Sequence, residues 1–125
     1  MSTKTLISLF GYKAWADSEL FALLAKLPEK HAEQLHRKDV ESTDAWYQDY
    51  VWATSDADLS GILNFSFTDG DTGRMSREEI LMHVLTHGGY HRGNVGQVLK
   101  SISVAPPRDL YTRFLHQSEP ARRSA

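Results

Sequence analysis

The stretch "SREEILMHVLTHGGYHRGNVGQVLKS", residues 76–101, decides how the chain folds. Ser76 followed by Glu79 is a capping box. The serine oxygen takes the N–H of the third helical residue, and the glutamate reaches back to the serine N–H. No proline follows until Pro106, so one helix is predicted to about Ser101. At about 100° per residue, Ile80, Val84, His87, His91, Val95, Val98 and Ile102 fall within about 80° of one another. Such a stripe belongs to a helix packed in a bundle. His87 and His91 are therefore expected in core positions, with His83 at the edge.

Two imidazoles in a hydrocarbon stripe need partners. Four residues apart, they rise by about 6 Å along one face. Both can then reach one metal ion at about 2.0–2.1 Å. A carboxylate, a carbonyl or water would satisfy them equally well, and spacing alone does not choose. Gly89, Gly93 and Gly96 lie roughly opposite the histidines on the wheel. Each costs about 1 kcal/mol relative to alanine in a helix interior. A flat face against another helix would offset that cost, either at a dimer interface or inside the bundle. A locally weak or kinked helix is the alternative.

Working outward, Thr3 to Leu27 reads as a helix stopped by Pro28, with Leu6, Phe10, Leu20, Phe21 and Leu24 on one arc. Lys13 and Asp17 fall in the centre of that arc. A charged pair at this spacing is ordinarily a surface pair of small value. Facing inward, Asp17 could instead hold the far nitrogen of a ligating histidine. Trp15 lies opposite, over Gly11, Ser18 and Ala22, as a second contact surface. Pro28 to Val40 reads as a short helix with a thin apolar stripe. "STDAWYQDYVWA" reads as a separate helix with an aromatic face, capped by Ser42 or Thr43. "NFSFTDGDTGRM" suits a small hairpin or an ordered loop. Asp69 and Asp71 do not make a calcium loop, because Arg74 and Ile80 stand where glycine and glutamate are needed. Asp109 to His116 suggests a short closing helix. The chain is expected to form one domain over residues 1–117, with a mobile tail over 118–125.

With 125 residues the chain suffices for one domain. Its net charge of -2 and lack of a basic stripe argue against a nucleic-acid partner. The absence of cysteine excludes disulfides, thiolate ligands and cysteine nucleophiles. The N-terminal segment fits neither a signal peptide nor a membrane span, so no membrane partner is expected and the cytoplasm is the expected compartment.

Three blocks, "LFGYKAWADSELFALLAKLPE", "SREEILMHVLTHGGYHRGNVGQVL" and "APPRDLYTRFL", together resemble the DinB-like family, the damage-inducible, YfiT-type group of metal-dependent helical proteins. "HGGYHRGNVGQVL" is similar to the family's His-x-x-x-His-Arg-Gly pattern. The resemblance implies an all-α, up-and-down four-helix bundle, often a homodimer, holding one divalent metal ion on three histidines. Two of these match His87 and His91. It further implies a metal-dependent thiol S-transferase or isomerase using a small-molecule thiol. The family's second helix has no clear counterpart here, so a deleted or shortened second helix is expected. His36, at the junction, is the nearest candidate for the third ligand, with His31 behind it.

Two functions follow as expectations. In the first, zinc or nickel bound by His87, His91 and a third group activates water or a thiol, for S-transfer or hydrolysis. Tyr90 and Arg92 flank the ligands and could orient substrate. In the second, the chain is a non-catalytic helical association module with an incomplete metal site.

Overall fold

The computed structural model describes residues 1–27 and 31–124, the side chains of residues 31–35 excepted. Three long helices carry the fold: α1 (Thr3–Leu24), α2 (His31–Ala53) and α4 (Arg77–Ser101). Between the last two stand a single helical turn, α3 (Asp56–Leu59), and a hairpin of β1 (Ile62–Ser66) and β2 (Thr72–Ser76). A short α5 (Tyr111–Ser118) and a 3-10 turn (Pro120–Ser124) follow. This is the all-α bundle expected, with a small hairpin inserted.

The termini of the helices fix their directions. The Thr3 N–H donates to Asp56 at 2.8 Å, and the N-terminal ammonium meets Glu78 at 2.7 Å. So α1 starts where α2 ends and α4 begins. Phe10 stacks on Tyr47, and Asp17 meets Arg92. Accordingly α2 runs antiparallel to α1, and α4 runs parallel to it. The central helix is α1, with α2, α4 and α5 against it. At the hairpin end its Leu6 and Phe10 join Val51, Leu59 and Leu81 in the apolar core.

The aromatic helix and the short segment before it are one continuous helix, not two. No proline or glycine interrupts residues 30–60. Thr43 does not cap: its hydroxyl donates to the Asp39 carbonyl at 2.8 Å inside the helix. The Arg37–Glu41 pair, at 3.1 Å, spans the expected break. The expected start at Pro28 and the side chain of His31 lie outside the described residues. Among the described residues the chain thus has three long helices where the resemblance implied four.

The cap of α4 is as expected. Ser76 Oγ accepts the Glu79 N–H at 3.1 Å, and Glu79 Oε1 accepts the Ser76 N–H at 2.8 Å. Ser76→Ala is expected to lower stability by about 1 kcal/mol. Urea midpoints would show it, and an unshifted midpoint would mean that the β2–α4 junction holds the helix start without the cap.

The hairpin turns through Gly70 at φ +95°, with Asp69 Oδ1 accepting the Asp71 N–H at 2.9 Å. These aspartates therefore serve a turn, the role expected of them over calcium binding.

Candidate functional site

The inward face of α4 differs from the expected stripe. Its buried residues are Leu81, Arg92, Gly96 and Leu99. At about 100° per residue they share a face with Leu85 and Gly88, roughly 120° round from His87 and His91. His83, His87 and His91 are exposed, and Val98 and Ile102 are 62% and 57% exposed. The core placement expected for His87 and His91 is therefore corrected. Two features, one on α1 and one on α4, turn α4 this way. Buried Lys13 and Asp17 on α1 bring Arg92 inward, and a glycine gives Lys13 room. A Cβ on Gly88 would stand 3.0 Å from Lys13 Cε.

The expected glycine face is divided. Gly96 packs on Pro106, 3.6 Å from where a Cβ would be. A Cβ on Gly93 would meet nothing within 4 Å. The contact surface around Trp15 and Gly11 is filled by Phe114 of α5, 3.3 Å from a Cβ placed on Gly11.

On the outer face the histidines converge. His87 Nε2 and His91 Nε2 are 2.9 Å apart. The His87 ring lies between two near-parallel neighbours, His83 at 5.3 Å and Tyr90 at 6.0 Å, which fix its plane. Two nitrogens each bound to one zinc ion at tetrahedral angles stand about 3.3 Å apart. The observed pair is a small ring rotation from that separation, so its chemistry and spacing fit two positions of a divalent ion. Among the described residues, no three His, Cys, Asp or Glu side chains are grouped to hold an ion. His36 is exposed on α2 and forms no such group with the pair.

Behind this face lies a buried ionic network. Lys13 Nζ donates to Asp17 Oδ2 at 2.9 Å and to Asp44 Oδ1 at 2.5 Å. Arg92 donates to Asp17 Oδ1 at 3.2 Å and to Asp109 Oδ2 at 2.6 Å. Tyr12 donates to the other Asp109 oxygen, and the Arg92 guanidinium lies 5.5 Å from the centre of the Tyr12 ring. Asp17 thus holds Lys13 and Arg92 rather than a histidine. Arg92 joins this network instead of flanking the histidine pair.

Burial, then the Asp17 carboxylate beside it, pushes Asp44 up to about 6 against the pull of Lys13. Burial alone would raise Asp17 too, but its bonds to Asp44 and Lys13 and the charges of Lys13 and Arg92 lower it overall. Burial would lower Lys13, yet its bonds to Asp44 and Asp17 raise it overall. Sequence reasoning missed Asp44 and Asp109. Asp44 stands three and seven residues before Tyr47 and Val51, the inward positions of α2, and that spacing was its signal.

Two apolar clefts open at the start of α4. One, of about 200 Å³, lies between Trp46, Tyr47 and Tyr50 of α2, Leu63 of β1, and Ile80 and Leu81. The other, of about 410 Å³, is lined by Phe65, Phe67, Met75, Ile80 and His83. The second ends one helical turn from His87. No helix among the described residues is long and apolar enough to cross a membrane.

The architecture is an all-α bundle with a pair of histidines on the outer face of its last long helix, beside an apolar cleft. The model of the DinB family matches residues 29–123, and the chain belongs to that family. The matched stretch holds α2 to α5 and both histidines, and α1 lies before it. Comparison with curated proteins and with solved structures gives no match.

Proposed function

We propose that this DinB-family protein is a cytoplasmic divalent-metal-binding protein that holds zinc or nickel on His87 and His91. The observation that carries the reading is the convergence of the two Nε2 atoms, 2.9 Å apart, on an exposed helix face. A bound divalent ion would lower the pKa of water or of a small-molecule thiol beside it, supplying a nucleophile for S-transfer or hydrolysis. The chain's own residues do the rest. His83 and Tyr90 hold the His87 ring in plane. Phe65, Phe67, Met75 and Ile80 offer an apolar seat for the body of a substrate one turn away.

A second reading, a non-catalytic association module, is favoured by the exposed Tyr90, Val98 and Ile102 and by a ligand set of two among the described residues. Metal content after metal-replete purification tests the first. The wild type is expected to retain at least about one ion per two chains, and His87→Ala and His91→Ala to lose about nine-tenths of it. Retention unchanged in both variants would overturn the assignment. Metal retained without turnover of thiol-conjugation substrates would select the second reading.

A further inference from the structure

We infer that the metal site is shared: a second copy of this chain docks on the outer face of α4 and supplies the remaining ligands. The inference rests on the metal reading of His87 and His91. Among the described residues one chain presents a pair of imidazole nitrogens, whereas zinc is most often held by four groups, or by three protein ligands and an open position. A two-fold axis through the ion turns one pair into two, because a symmetric interface repeats the same patch on both sides.

The face around the pair suits a copy of itself. Between Glu79 and Lys100 the only charged residue of α4 is Arg92, and it points inward. The outer surface is thus uncharged for more than five turns, and two copies meet there without like-charge repulsion. Its exposed side chains between Glu79 and Lys100 are histidine, threonine, asparagine and glutamine with two large apolar groups among them, Tyr90 at 64% and Val98 at 62%.

Register adds a further match. An axis midway between His87 and His91 passes the level of Gly89. Antiparallel pairing about that point sets position 98 of each chain against position 80 of the other. Ile80 lines both apolar clefts, and Phe65, Phe67 and Met75 stand around the larger one. The exposed valine of each copy therefore has an apolar seat on its partner.

Sedimentation equilibrium with cobalt(II) as the probe tests this. The chain should be a 14.2 kDa monomer in chelator and a dimer with about one cobalt per two chains when loaded. His87→Ala should abolish both cobalt binding and the dimer. Val98→Glu places like charges against the opposing copy's cleft. It should leave a monomer whose cobalt affinity falls at least about tenfold. Both positions are exposed, and far-ultraviolet circular dichroism would verify unchanged helix content. One cobalt per chain on a wild-type monomer would overturn the shared site while leaving the metal reading intact. A dimer indifferent to chelator and to His87→Ala would also overturn it. No cobalt bound at all would remove both.

Discussion

Lys13→Met is expected to destabilise the protein by about 3–5 kcal/mol near pH 7.5, the cost of removing one partner from a buried ion pair. Methionine keeps the length of the stem, so the change isolates the charge. Without the ammonium, Asp17 and Asp44 face each other, and among the described residues Asp44 has no other cation partner within 4 Å. The loss should shrink near pH 5. In the wild type Asp44 sits at about 6 against an ordinary 3.8, so its stabilising protonation is complete below pH 3.8 and is lost as the pH rises through 6. Asp17 works in the other direction: held low, it favours the folded state above 3.8, and that benefit fades as the pH falls. Removing Lys13 makes protonation of Asp44 easier still, and acid then relieves the variant. Urea midpoints at the two pH values measure the effect, and a loss below about 1 kcal/mol at pH 7.5 would show that the pair is solvated. Lys13→Met with Asp44→Leu should recover most of the loss, because apolar replacement of a buried ion pair is often neutral or stabilising.

Arg92→Met should cost about 3 kcal/mol and act on a different part of the molecule. Asp17 keeps Lys13, but Asp109 loses the guanidinium that ties the segment after α4 to the bundle. That segment presents Pro106 to Gly96 and leads into α5, whose Phe114 covers Gly11. Hydrogen exchange should therefore rise across residues 104–118 before it rises in α2. Arg92→Lys should rescue little, since one ammonium cannot reproduce two bonds in fixed directions. Uniform acceleration across all helices would contradict this account and make Arg92 a general core residue.

The sequence was most legible where local chemistry sets the element. The Ser76–Glu79 cap placed the start of α4, and the periodicity of α1 put Lys13 and Asp17 on its apolar arc, although their spacing also reads as a surface pair. The rotation of α4 was not legible from hydrophobic periodicity, because that pattern takes its inward face from aliphatics. Here the inward face is an arginine, two glycines and three leucines, and two aliphatics of the expected stripe, Val98 and Ile102, are exposed. Charge pairing across helices chose the orientation, and such pairing needs partners that are far apart in sequence. The join within α2 was misread for a related reason: a thin apolar stripe and two hydroxyl residues look like a boundary, yet Thr43 bonds back into its own helix. The spacing of His87 and His91 was readable, and their exposure was not.

The separations within the buried network also bear on how the chain assembles. Lys13 meets Asp17 four residues on and Asp44 thirty-one residues on, whereas Arg92 meets Asp17 across seventy-five. Short loops close at lower entropic cost than long ones, and chains emerge from the ribosome N-terminus first. The first two helices can therefore neutralise their own acidic pair as a hairpin while the last long helix is still unmade. Lys13 acts as an early counter-charge, and Arg92 arrives as a latch that fastens a partly balanced assembly.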